Sequence, residues 1–224
     1  MKPRYKRTHF ESLESTNDYV KNHLETLPDH TLITTDFQSK GRGRRERTWE
    51  SLPGFNFLGT FYKRSSGVRQ HEPMIQGVLS IIGTLESLGI DAEIKPPNDV
   101  YVRGRKIAGI LSEVIHNNKK HVIIGIGFNV NEPKATPAIA LSEVTGSVHD
   151  LEGITDTIIR HMAIEETRNF ATLFERYVAR IPFGRIVAFK NSDRLGFLES
   201  IDGDFRCVVD GTPFPCEALR FQYR

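Results

Sequence analysis

The sequence predicts an α+β protein of 224 residues: a mixed β-sheet packed with helices, followed by a small β-barrel-like unit. Three observations carry that expectation. Apolar residues recur at three- and four-residue spacing in two long segments, 73–89 and 151–178, which is the period of a helix with one buried face. Runs such as HTLITTDFQ, NFLGTFY and HVIIGIGFNV are β-branched or continuously apolar, as strands are in a sheet covered on at least one face. After Gly184 the chain breaks into short alternating runs between Asp-Gly turns, the signature of a compact β unit.

Taken in order, ESLESTNDYVKNHLETLP reads as a helix that starts near Ser15 or Thr16, turns Tyr19, Val20 and Leu24 to one side and closes at Pro28. HTLITTDFQ and NFLGTFY follow as strands and hold a basic loop between them. Pro73 opens the next helix at a favourable first position, Ile75, Val78, Leu79, Ile82, Leu85 and Leu88 form its stripe, and Gly89 ends it. AEIK, NDVYV, a reversal through Gly104, IAGILSEV, an Asn117-Asn118 turn and HVIIGIGFNV continue the sheet. NEPKATPA is a proline-containing connector. In 151–178 the inner face is Ile154, Ile158, Met162, Phe170, Leu173, Phe174 and Tyr177, with His161 as a rim residue. GRIVAF, LGFLESI, FRCVVD and EALRFQYR are the final strands, placing a division at 1–181 and 182–224.

Composition narrows the function classes. With 38% hydrophobic and 26% charged residues the chain has the make-up of an ordinary globular protein, and no stretch approaches the ~20 apolar residues of a membrane span. No apolar segment follows the basic start, so a cytoplasmic location is expected. Cys207 and Cys216 have neither metal-ligand spacing nor the number needed for a disulfide scaffold. The formal net charge is only +2. Positive charge is therefore local, concentrated in SKGRGRRERTWES, residues 39–51. Gly41 and Gly43 let a backbone approach a ligand closely, and Arg42, Arg44, Arg45 and Arg47 offer forked donors for phosphate or carboxylate. Trp49 can stack on a purine or pack in the core. By itself the loop is open to three readings: a nucleic-acid grip, a phosphate cradle or a solvated turn.

Four separated stretches resolve this by resemblance. STN at 15–17, Gln38 with GRGRR at 41–45 and Trp49, PND at 97–99 with RKIAGILSE at 105–113, and GIGFNVN at 125–131 resemble, in order and context, the catalytic domain of biotin protein ligases. The resemblance runs from about residue 8 to the C-terminal unit, which matches only in kind and is expected to be a small SH3-like β-barrel domain. It implies a two-step enzyme: biotin and ATP give biotinyl-AMP, and the biotinyl group then passes to a lysine of a biotin carboxyl carrier protein or domain. Ser15, Thr16, Asn17 and Gln38 supply hydroxyls and amides for a ureido head. Arg42, Arg44 and Lys106 are implied at the carboxylate and α-phosphate, with Gly41, Gly43 and Gly109 beside the biotin. Arg45, Arg47, Trp49, Asn98 and Asn129 are implied at the nucleotide. Asp99 is a candidate Mg²⁺ ligand or a partner for the incoming lysine, and Lys95 a more remote charge. The catalytic set is Arg44, Lys106 and Asp99, and the loop would be a lid, flexible when empty, that shields the mixed anhydride from water.

Two departures from the family pattern stand out: Glu46 where glycine is usual, and Pro96 where tryptophan is usual. Neither touches Arg42, Arg44 or Lys106, so activity is expected. With STN already at residue 15, no N-terminal helix-turn-helix and no operator binding are expected. The rivals are a lipoate or octanoate ligase or transferase of the same superfamily and a nucleic-acid module using residues 40–47. The first lacks the combination of GRGRR and PND, and the second would spread basic and aromatic residues over a face. No nucleic acid and no membrane are expected as partners; a homodimer through sheet edges is compatible with the family.

Overall fold

A computed structural model of the chain describes residues 5–45, 47–117, 119–132, 137–190, 192–202 and 204–221. Its centre is a seven-stranded sheet in the order β1-β2-β3-β7-β6-β5-β4. The strands are β1 (Lys6–Leu13), β2 (Thr31–Gln38), β3 (Phe57–Ser65), β4 (Glu93–Lys95), β5 (Asp99–Val102), β6 (Arg105–Asn117) and β7 (Lys119–Phe128). Only the β1–β2 pair is parallel, so the sheet is mixed as expected. Helices α1 (Thr16–Asn22), α2 (Glu72–Ser87), α3 (Leu141–Thr145), α4 (Leu151–Glu165) and α5 (Phe170–Val178) surround it.

The continuous apolar strands are explained by burial on both faces. Leu32, Phe61 and Ile124 point into a large core with Ile75, Val78, Leu79 and Ile82 of α2 and Ile158 and Met162 of α4. Their chain neighbours Ile33, Tyr62 and Ile123 point the other way, against Val20 of α1. Successive side chains alternate across a strand, and here both sides meet a helix. None of the helices among the described residues is long and apolar enough to cross a membrane.

Four expectations need correction. The first helix begins at Thr16 as expected, with Ser15 as its N-cap and the Ser15 Oγ accepting from the Asp18 N–H, but it ends at Asn22 and not at Pro28, and residues 11–13 ahead of it belong to strand β1. β1 is an edge strand with a mostly exposed, polar sequence, so its alternation carries almost no apolar signal. The 151–178 helix is two helices, because Asn169 caps a new start by accepting from the Thr172 N–H. The short helix α3, ended by Gly146 in the left-handed region, had no readable stripe.

The fourth correction concerns the C-terminal unit. β8 (Ile186–Phe189), β9 (Leu195–Ile201), β10 (Arg206–Val209), β11 (Thr212–Pro215) and β12 (Leu219–Phe221) form an antiparallel sheet in the order β11-β10-β9-β8-β12. Among the described residues this sheet is open; it does not close into a barrel. Its apolar side is covered from outside instead. Phe205, in the β9–β10 turn, packs its ring on Phe174 and Tyr177 of α5 and on His71 before α2, with centroids 5.5, 5.5 and 4.4 Å apart. Val187, Leu198, Cys207, Val209 and Leu219 belong to the same buried cluster as Leu173 and Tyr177. With a helix supplying the second layer, closure is not needed to bury these residues.

Candidate active site

The basic loop folds back on itself as a small hairpin. The Gly43 N–H donates to the Arg47 carbonyl at 2.6 Å and the Trp49 N–H to the Gly41 carbonyl at 2.9 Å, around an Arg42–Thr48 bridge. It closes one side of a cleft between α1, β6, β7 and the second sheet. Ser15, Thr16, Asn17, Gln38, Arg42, Gly43, Arg44, Arg45, Arg47, Trp49, Asn98, Asp99, Lys106 and Gly109 all line this cleft. Four separate stretches of sequence therefore converge on one place. The cleft holds about 150 Å³, against ~300–1,000 Å³ for typical small-molecule sites.

One end of the cleft is a polar network. Gln38 Oε1 accepts from the Thr16 N–H at 2.8 Å and from the Thr16 hydroxyl at 3.0 Å. Asn17 Oδ1 accepts from the buried Thr60 hydroxyl at 2.6 Å, while its Nδ2 donates to the Leu111 carbonyl at 3.2 Å and to Glu113 Oε1 at 3.3 Å. These bonds fix which way the amide points. Asn17 fits only because residue 125 has no side chain: a Cβ on Gly125 would stand 2.1 Å from Asn17 Oδ1. Gly127 does the same for Trp49, whose indole ring would lie 2.4 Å from an added Cβ. Both glycines of the GIGF run thus make room for side chains of other segments, not for Asn129. Trp49 is both packed and exposed to the cleft, and its buried indole N–H has no hydrogen-bond partner among the described residues. A buried donor of that kind invites a ligand acceptor.

The other end is cationic. Lys106 Nζ lies 2.7 Å from Asp99 Oδ1 and 5.4 Å from the Trp49 ring centre. Lys95 Nζ donates to the Tyr101 hydroxyl at 3.2 Å. Burial lowers the Lys95 pKa, and the charges of Lys106, Lys190 and Arg47 lower it further, opposed by Asp99. Burial, with Asp99 beside it, pushes the Tyr101 hydroxyl up to about 12, so it stays protonated. Several cations gathered around one carboxylate leave the wall suited to an anion.

The individual assignments fare differently. Arg44 Nη1 donates to Asn98 Oδ1 at 3.2 Å, and Asn98 Nδ2 donates to the Ile110 carbonyl at 2.8 Å, so loop and β6 are tied at the cleft. Arg42 is turned to Asp18 and Glu113, at 2.7 and 3.4 Å. Gly41 sits at the hairpin base and does not line the cleft. Asn129 is not in the site either: it is buried and its Nδ2 donates to the Ile139 carbonyl at 3.3 Å, holding the 137–141 segment against β6. Asp99 is engaged by Lys106, and the described residues contain no group of three or more His, Cys, Asp or Glu placed to hold a metal. The chain's own donors therefore do not fit a protein-held Mg²⁺, which would have to come with a nucleotide's phosphates. Glu46 lies outside the described residues; the Pro96–Pro97 peptide, which lines the cleft, is cis. Sequence reasoning missed Lys190, Cys216 and Leu219, which the second sheet contributes to the same cleft. No local motif marks them, because they are brought in by the packing of that sheet.

Residues 9–129 match the model of the Biotin/lipoate A/B protein ligase family. The chain is 33% identical over 224 residues to the biotin–[acetyl-CoA-carboxylase] ligase of Paracoccus denitrificans, covering 88% of this chain and 91% of the relative. It is 36% identical over 137 residues to biotin–protein ligase 1, chloroplastic, of Arabidopsis thaliana, a longer protein of which it spans only 37%. In fold it is similar to the biotin protein ligase from Aquifex aeolicus in complex with biotin and ATP, with a TM-score of 0.80, 20% identity and coverage of 98% and 99% of the two chains.

Proposed function

The chain belongs to the Biotin/lipoate A/B protein ligase family, and from that premise we propose that it is an ATP-dependent biotin protein ligase. The observation that carries the choice of biotin is the Thr16–Asn17–Gln38–Thr60 network at the closed end of the cleft. A ureido head can add its own donors and acceptors to such a set of hydroxyls and amides, whereas the apolar acyl chain of lipoate or octanoate has none to offer. In this reading residues 1–181 form the catalytic unit and 182–224 a β unit that lends Lys190 and Leu219 to the nucleotide side.

The reaction follows from the charges. Biotin's carboxylate oxygen attacks the α-phosphorus of ATP, forming the acyl–phosphate bond as the bond to pyrophosphate breaks. Both reactants are anions, so Lys106, Arg44 and the more distant cations must offset their repulsion and the charge that develops. Mg²⁺ would enter with the triphosphate. Asp99 holds Lys106 in position. In the second step a lysine amine of the carrier attacks the acyl carbon and AMP leaves. Incubation with biotin, ATP and a biotin carboxyl carrier domain should add one biotin to the carrier's target lysine, read by intact mass; an unmodified carrier would sink the proposal.

Two expected results arise here. Arg44→Gly removes the tie between loop and Asn98, so it should still form adenylate but lose it early, labelling lysines of a bystander protein such as albumin; retention as tight as in the parent would remove the lid role. Nucleotide binding should also take up protons. A polyanion beside Lys95 raises a pKa that burial and its cationic neighbours have lowered, so the bound state holds more proton and uptake should grow from neutral towards alkaline pH. Calorimetry in buffers of different ionisation heat checks this, and Lys95→Met should abolish it.

A further inference from the structure

A second cavity of about 790 Å³ adjoins the first and shares Arg44, Pro97, Asn98, Ile110 and Leu111 with it. The Arg44–Asn98 hydrogen bond thus stands in the partition between the two. Beyond it the walls are the end of β6 with Ser112 and His116, the segment that enters α2 with His71, and the β9–β10 turn with Asp204 and Phe205. Charge separates the two spaces. The first cleft gathers Lys95, Lys106, Lys190 and Arg47, which would repel an incoming ammonium. In the second, Arg206 is matched by Asp202 and Asp204, at 2.8 and 3.3 Å, and Arg44 is the one cation held in common with the first.

We infer that the acceptor lysine reaches the activated acyl group through this second cavity and gives up its ammonium proton to His71. The inference rests on the ligase reading above and adds to it an entrance and a base for the second step. His71 is placed for the role by geometry: its ring packs against that of Phe205, with centroids 4.4 Å apart and planes tilted by 30°, at the cavity wall. The charged and titratable groups that line the cavity with it are Arg44 from the basic loop, Asp204 from the β9–β10 turn, Arg206 at the start of β10 and His116 near the end of β6, and Glu72 is its neighbour in the chain. Burial and then Arg44 hold its pKa below the ordinary histidine value, opposed by Asp204. The imidazole is therefore neutral near pH 7 and able to accept a proton, while Asp204 attracts the ammonium. The amine nitrogen then forms its bond to the acyl carbon, the acyl–oxygen bond to phosphate breaks and AMP leaves with the electron pair; the first proton resides on His71, and the second, lost from nitrogen as the amide forms, leaves on the AMP phosphate. A base of this kind contributes ~10²–10⁴-fold.

The test separates the half-reactions. Enzyme-bound biotinyl-AMP is mixed with a biotin carboxyl carrier domain in a single turnover, and biotin-dependent exchange of pyrophosphate into ATP is measured on the same preparations. His71→Gln should slow transfer by about 10²-fold or more, with a far smaller change in exchange. The parent's transfer rate should be level across pH 7–9, whereas the variant's should climb about tenfold per pH unit as free amine appears. Imidazole should restore transfer in His71→Ala. Transfer and exchange falling in the same proportion, or a variant pH profile as level as the parent's, would overturn the role of His71. Absence of biotin-dependent exchange in the parent would instead remove the ligase reading on which this inference stands.

Discussion

Lys106→Ala should lower biotin-dependent adenylation by about 10³-fold or more, measured as exchange of pyrophosphate into ATP. A positioned donor at a developing charge is usually worth ~2.7–4 kcal/mol, or 10²–10³ in rate. Here the loss is compounded, because Lys106 is the cation 2.7 Å from Asp99. Without it a carboxylate faces the triphosphate uncompensated. That argument has its own check: Lys106→Ala combined with Asp99→Asn should recover part of the lost rate, since the double change removes the repulsion. A near-parental rate in the single variant would take Lys106 out of the site. A double variant slower than the single would mean that Asp99 does more than hold Lys106.

Gly125→Ala should cripple biotin recognition with little direct effect on the nucleotide side. The added methyl would lie 2.1 Å from Asn17 Oδ1 and 2.8 Å from its Cγ, and Asn17 cannot swing away freely. Thr60, Leu111 and Glu113 hold both ends of its amide. Either the amide leaves its partners or α1 moves, and overpacking of this sort costs ~1–3 kcal/mol. With that cost and the loss of an oriented hydrogen bond to the ureido head at ~1–3 kcal/mol, the KM for biotin should rise about 10²-fold, with the KM for ATP changed far less. Equal losses for both substrates would point to global disruption. Gly127→Ala is the companion variant: its methyl would meet the Trp49 ring at 2.4 Å, so its damage should fall on ATP.

The contrast between those two glycines shows what was legible in the sequence. GIGF was readable as a backbone stripped of bulk, but the side chains using the space, Asn17 and Trp49, lie far away in the chain. Sequence alone assigned the space to the adjacent Asn129, which is a structural residue. Strands β2, β3, β6 and β7 were readable because burial on both faces gives continuous apolar runs, and α2 because its stripe is long. β1 was not, since an exposed edge strand has no apolar alternation to find. The open second sheet was read as closed because its alternating strands carry no record that α5 covers their apolar face. Lys190 and Cys216 enter the cleft by the same packing. The arginine loop sits between the extremes: its composition left an anion site as one of three readings, while only the fold shows Arg42 held by Asp18 and Glu113 and Arg44 by Asn98.

The measurement that bears most directly on the central claim is exchange of labelled pyrophosphate into ATP by the purified protein with Mg²⁺, compared across biotin, lipoate and octanoate. The polar end of the cleft predicts exchange with biotin and none above background with the two acyl chains. Exchange driven by lipoate or octanoate, or by no acid at all, would contradict it.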